Sequence, residues 1–178
     1  MERKIILVNR ECPARLVPDG TLIIIKKDTF VTLTQSLGGA YTVLLNGNMA
    51  RVDGTDGDAL GFEPIVLVFD HTANNSSNGT VLESNVWKAI SAVYDPEMPV
   101  NIVDLGLIYD CKIDGNTVVI SMTLTAPACG MGPVLVEDVK YKVGLVPNVD
   151  SVKVDLVLDP PWSREMMTEE AQLELGLF

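Results

Sequence analysis

The rhythm of hydrophobic and polar positions changes once along this chain, near residue 80. Before that point the apolar residues fall into short runs, at 21–25, 30–34, 41–45 and 49–52, rich in β-branched and aromatic side chains. Such runs, separated by turn signals, predict strands. Asn46-Gly47 lies between two of them and suits the positive φ angles of a type I′ hairpin. Gly38-Gly39 and Asp53-Gly54 mark further turns. Short strands without helical spacing predict a small β-barrel or β-sandwich, with 65–69 as its closing strand. Residues 70–79 are polar and turn-rich, and read as a linker.

Beyond residue 80 the spacing becomes three-to-four. Thr80 and Glu83 have capping-box spacing, and Leu82, Val86, Ile90 and Val93 then form one helical stripe that ends at Pro96 and Pro99. Alternation over 105–113 predicts a strand with Leu105, Leu107, Tyr109, Cys111 and Ile113 on one side. Asp114-Gly115 turns it into an antiparallel partner over 117–125. Met131, Leu135, Val139 and Val143 form a second helical stripe, 149–158 a third strand, and a short helix begins near Thr168 and stops at Gly176. The β–α–β part places its two strands parallel. The expected class is α+β: a small β-rich N-terminal domain (1–69), a linker (70–79) and an α-β-β-α-β-α mixed-sheet domain (80–178).

Charge sharpens the division. The net charge of −11 is uneven: residues 1–80 hold seven Lys/Arg and nine Asp/Glu (net −2), and 81–178 hold six and fifteen (net −9). So acidic a surface repels phosphate backbones and anionic lipid heads, which argues against nucleic acid and membrane as partners. No run approaches the ~20 apolar residues of a membrane span, and the apolar run before Asn9 is too short for a signal-peptide core. Three widely spaced cysteines without a CxxC form no disulfide framework and suit the reducing cytoplasm.

Cys129 is the residue with the most pointed chemistry. It sits in Thr125-Ala-Pro-Ala-Cys-Gly-Met-Gly-Pro133, between a strand end and a helix start. Open backbone amides and the positive end of the helix dipole favour the thiolate there, the form that binds metals and attacks electrophiles. Thr125 adds a hydroxyl donor. The competing reading is a small buried cysteine beside a tight turn. With no second ligand near it in sequence, Cys129 would hold a metal or an iron–sulfur cluster loosely, as a carrier or in a site shared between the chains of a homo-oligomer. Asp95, Glu97 and Asp104 place carboxylates on adjoining loops, to bind metal, tune the thiol or receive a partner; helix termination and turn formation are their ordinary roles. Asp159-Pro160-Pro161-Trp162 is stiff and extended, and its Trp is either a lid over the core or an anchor for a partner. Cys111 reads as core. Residues 53–58 only superficially resemble a calcium loop, and the single histidine, His71, falls in the linker, so no Cys–His dyad is evident.

Asp95-Pro-Glu97, Asp104-Leu-Gly-Leu-Ile-Tyr109, Thr125-Ala-Pro-Ala-Cys129 and Asp159-Pro-Pro-Trp162 together resemble the signature of one family. It is the small α/β domain of SufT-type iron–sulfur maturation proteins, cytosolic iron–sulfur targeting factors and PaaD-like proteins. The resemblance covers about residues 80–178 and departs from some members at Ala128, where they carry Gly. It implies a non-catalytic accessory factor that matures or delivers clusters to client apoproteins alongside the assembly machinery. Cys129 is then the cluster or client contact, with Asp95, Glu97, Asp104 and Thr125 around it and Asp159 to Trp162 as a partner surface; any bound cluster would be transient. The rival expectations are a scaffolding adaptor with no thiol chemistry and, weakest, a thiol-dependent hydrolase.

Overall fold

In the computed structural model, residues 3–37, 39–71, 79–95, 98–126 and 130–177 are described. The first half forms one antiparallel six-stranded sheet in the order β1-β4-β5-β6-β2-β3. Its strands are β1 (Lys4–Leu7), β2 (Cys12–Leu16), β3 (Leu22–Ile25), β4 (Phe30–Leu37), β5 (Ala40–Leu45) and β6 (Asn48–Asp53). It is a single sheet with β1 and β3 as its edges, not a closed barrel or a two-sheet sandwich. Asn46 and Gly47 close the β5–β6 hairpin at φ 49° and 84°, as a type I′ turn requires.

One face of this sheet wraps its own apolar cluster, including Ile6, Cys12, Ala14, Ile25, Val31, Val43, Ala50 and Val52. A 3-10 helix, Gly54–Leu60, adds Ala59 and Leu60 to it. The 65–69 run is not the closing strand. It leaves the sheet as an irregular strap in which Val66 and Val68 are exposed and Phe69 packs against the second core. The buried amide of Asn85 fastens the end of the strap, accepting from the Asp70 N–H at 2.9 Å and donating to the Asp70 carbonyl at 2.8 Å. Most of the 70–79 segment lies outside the described residues.

The second half builds a three-stranded sheet, β7 (Ile108–Asp114), β8 (Thr117–Met122) and β9 (Ser151–Leu156), in that order. β7 and β8 are antiparallel, and β8 and β9 parallel across helix α2 (Gly132–Gly144), as the periodicity predicts. Helix α1 (Glu83–Ser91) and α2 bury Val86, Ala89, Ile90, Leu135, Val139 and Val143 against Val118, Ile120 and Met122. A short α3 (Glu169–Glu174) is capped by the Thr168 hydroxyl. α1 begins after Leu82, without a side-chain cap, so the Thr80 capping box does not form. Glu83 instead accepts from the Trp87 indole N–H at 3.3 Å, one turn along.

Candidate functional site

The loop that carries Cys129 is framed by the end of β8 and the start of α2. Cys129 itself and Glu97 lie outside the described residues. On the strand side the Thr123 N–H donates to the Leu107 carbonyl at 2.8 Å, Leu124 is buried and Thr125 half-buried. On the helix side Gly130 is exposed and Gly132 is packed so closely on Leu124 that a side chain would collide with it. Met131 occupies the cap position of α2 and offers no side-chain acceptor, Pro133 stands in the first turn, and that turn holds no acidic residue. Among the described residues no side chain caps the first amides of α2, which stand at the positive end of a helix of 13 residues.

Of the carboxylates predicted around this loop, that of Asp104 has a local partner. Asn101 organises the turn over 101–106: its side-chain oxygen accepts from the Val103 and Asp104 amides, and its amide donates to the Asp104 carboxylate at 2.6 Å. Asp95 is buried, and its N–H donates to the Val100 carbonyl at 3.2 Å. Both acids thus lie between α1 and β7 in sequence. Among the described residues no group of three or more His, Cys, Asp or Glu is arranged to hold a metal ion.

The segment around Trp162 folds onto that same turn. The indole N–H donates to the Leu105 carbonyl at 2.7 Å, the Tyr109 hydroxyl to the Pro160 carbonyl at 2.6 Å, and the Thr168 N–H to the Asp104 carbonyl at 2.9 Å. Gly106 sits at φ 73°, and an added methyl group would run into the Met166 backbone. Two of the four signature motifs therefore form one unit, with Trp162 half-buried as a lid over the second core and Asp159, Pro160 and Pro161 exposed.

The other two thiols are in different surroundings. Cys12 is fully buried in the first sheet's core, and desolvation, reinforced by Asp56, pushes its pKa up to about 11. Cys111 is half-buried on β7, and burial, with Glu83 and Asp110, raises it as well. Burial thus disfavours the thiolate at both positions. The acidic residues at 53–58, set aside as a calcium loop, are taken by cations: Asp56 and Asp58 by Arg10, and Asp53 by Lys142 at 3.2 Å.

Sequence reasoning missed a buried polar seam where the first sheet meets α2. Arg51 on β6 pairs with Asp138 at 3.1 Å, and their side chains are 6% and 11% exposed. Arg51 also donates to the Tyr94 carbonyl at 3.3 Å, and Lys142 to the Ala92 carbonyl at 2.7 Å. Burial pushes the Asp138 carboxyl above its ordinary range despite the cations beside it. The signal available in the sequence was Asp138 and Lys142 at i, i+4, beside the apolar stripe rather than opposite it. The β2–β3 turn rests on the start of the same helix, since a methyl group on Gly20 would stand 3.2 Å from the Pro133 carbonyl. A cleft of about 180 Å³ between Val17, Leu37, Met49, Arg51 and Met131 opens between the sheet and the residue before α2.

A family model described as iron–sulfur cluster assembly protein matches residues 83–156. A Porphyromonas gingivalis protein named Fe-S protein maturation auxiliary factor is 47% identical over 95 residues, which are 53% of this chain and 90% of that protein. The Bacillus subtilis Fe-S protein maturation auxiliary factor YitW is 39% identical over 97 residues, 54% of this chain and 95% of its own. A solved domain of unknown function, DUF59, from Bacillus anthracis superposes with a TM-score of 0.51 at 42% identity, over 54% of this chain and 92% of that one. Through its second half, the chain belongs to the iron–sulfur cluster assembly protein family.

Proposed function

We propose that this protein is an accessory factor in iron–sulfur cluster assembly, which presents Cys129 to a cluster or to a client apoprotein. The observation that carries the reading is the first turn of α2, which no described side chain caps, immediately after the Cys129 loop, in a chain whose relatives are named maturation auxiliary factors. The amides and dipole of that turn favour the thiolate. The cluster is cargo: Cys129 supplies one ligand, and the donor or client supplies the rest. Asp95, Glu97, Asp104 and Thr125 are the proposed surroundings of the thiol, and the exposed Asp159, Pro160 and Pro161 a docking ridge beside Trp162. The factor turns over no substrate. It works in the cytoplasm with assembly proteins and clients, and its net charge of −11 is unsuited to nucleic acid or anionic membrane. Separate apolar clusters support a division into a unit over 1–69, a connector and a unit over 80–178.

The test is Cys129→Ser in cells that depend on this factor. Client iron–sulfur enzyme activity is expected to fall while the variant's circular dichroism stays unchanged. Anaerobic incubation with iron and sulfide then separates two modes: visible absorbance that depends on Cys129 marks a carrier, and its absence marks a targeting factor. Full client activity in the Cys129→Ser strain sinks the thiol reading in favour of an adaptor.

A further inference from the structure

Three polar residues line up across the first sheet and meet in the cleft beside α2. Gln35, Thr42 and Arg51 stand side by side on adjacent strands, as the pairs Gln35↔Thr42 and Thr42↔Arg51. Plain alternation would not put Gln35 there. Val31 and Leu33 are buried in the first core, and the next residue of that phase, Gln35, would follow them inward. The register shift between Leu33 and Gln35 inserts Thr34 as an extra residue, which turns Gln35 to the face of Thr42 and Arg51. The Thr34 hydroxyl donates to the Thr42 carbonyl at 3.1 Å, fixing the bulge. Leu37 and Ala40 flank the row on one side and Met49 on the other, and Val17 and Met131 complete a cleft of about 180 Å³. Among the described residues the Gln35 amide and the Thr42 hydroxyl have no hydrogen-bond partner. The Arg51 side chain is 6% exposed; its Nη2 donates to the Tyr94 carbonyl, and its Nη1 reaches Asp138 without an aligned hydrogen bond. A guanidinium has more N–H donors than these two contacts use, and a buried donor without an acceptor is costly. An apolar cleft with a few convergent polar groups is the usual form of a small-molecule site.

We propose that this cleft binds a small neutral molecule that carries an amide or ketone oxygen on an apolar body of about benzene size. A cavity of ~150 Å³ holds benzene, so such a body fits between the apolar walls. The oxygen accepts from Arg51 and Thr42, and an amide N–H of the ligand donates to the Gln35 side-chain oxygen. Charge selects a neutral ligand over an anion. Arg51 is already balanced by Asp138, and Lys142 by Asp53. A carboxylate would therefore bring an unbalanced charge into a buried place next to Asp138. Met131 also holds the cap position of α2, so the occupant rests against the start of that helix. The site makes no use of the Cys129 thiol.

Benzamide is the probe, titrated into the full chain and followed by amide-proton NMR, with benzoate and toluene as comparators. Benzamide is expected to bind with a Kd of about 1 mM, roughly tenfold tighter than either comparator. The shifts should centre on Gln35, Thr42, Arg51 and Met131. Gln35→Leu and Thr42→Val should each weaken binding about fivefold, and the fold is retained because neither side chain has a protein partner to lose. Arg51→Met combined with Asp138→Leu leaves no unpaired buried charge and should weaken binding roughly tenfold. A wild type without shifts in these residues up to the solubility limit of benzamide overturns the proposal. So does benzoate or toluene binding as tightly as benzamide, or a benzamide affinity that Gln35→Leu, Thr42→Val and the Arg51–Asp138 double variant all leave unchanged. None of these outcomes depends on Cys129.

Discussion

Removing either partner of the Arg51–Asp138 pair should cost far more stability than removing both. The two groups stand 3.1 Å apart with side chains 6% and 11% exposed, so at an effective dielectric of about 20 their attraction is ~5 kcal/mol before desolvation. Arg51 Nη1 reaches Asp138 without an aligned hydrogen bond, so the geometry does not recover the full desolvation cost. Asp138→Leu leaves Arg51 buried with the Tyr94 carbonyl, a loss of about 3–5 kcal/mol. Arg51→Met should cost a similar amount. The double variant has no buried charge to satisfy at this point, because Lys142 keeps Asp53 at 3.2 Å, and should fall within about 1 kcal/mol of wild type. Urea unfolding followed by circular dichroism supplies the cycle. Two single losses below about 1 kcal/mol, or a double loss equal to their sum, would refute the account. The pH dependence has a definite sign. Asp138 titrates higher in the folded protein than in the unfolded chain. Its proton-linked stabilisation is complete below about 3.9, the unfolded value, and is lost as pH rises through the raised folded value. Wild type should therefore lose stability relative to Asp138→Asn as pH rises through that window.

Gly106→Ala forces a side chain into φ 73° and against the Met166 backbone; a loss of at least ~3 kcal/mol is expected in thermal or urea melts. Trp162→Phe keeps most of the ring packing and removes the donor to the Leu105 carbonyl, costing about 1–2 kcal/mol in the same melts. Cys12, raised to about 11 by burial, should resist iodoacetamide at pH 8 in the folded protein and react on unfolding, as read by mass spectrometry. Because its folded pKa lies above the unfolded ~8.5, the stability linked to this thiol is full below that value. It is lost as pH climbs toward about 11.

What the sequence disclosed and what it hid follow from periodicity. Asn46-Gly47, the Leu135–Val139–Val143 stripe and the Thr168 cap were legible because each is a local rule with one buried face or one turn to satisfy. β2 was hidden by Pro13. Its missing N–H faces away from β3, beyond the end of the β2–β6 pairing at Arg15 and Leu16, so it costs the ladder nothing. Residues 65–69 have strand composition but serve as a strap between two cores, a role set by where the sheet and α1 lie. Thr80 and Glu83 have the right spacing, yet the helix starts at Glu83, and Asn148 donates to the Thr80 carbonyl at 3.1 Å. The Asp104 turn and Trp162 were read as separate surfaces. Their union depends on hydrogen bonds spanning 57 residues, which no local pattern encodes.

Helix α2 shows most clearly why half of this molecule was opaque. A helix read from its apolar stripe is expected to bury one face and wet the other. α2 buries Leu135, Val139 and Val143 in the second core, and it also buries Asp138 and Lys142 against the first sheet. The charged residues look like a solvated flank in sequence because each has its partner, Arg51 or Asp53, almost 90 residues upstream. The relatives that match 53–54% of this chain align over nearly their whole lengths. The remaining half lies outside the matched region, yet it packs on the family domain. Its β2–β3 turn touches the first turn of α2, and its β6 neutralises the middle of the same helix. The first sheet thus rests on the helix whose start frames the Cys129 loop. The side chains that join them at mid-helix are polar, which the hydrophobic pattern alone does not reveal.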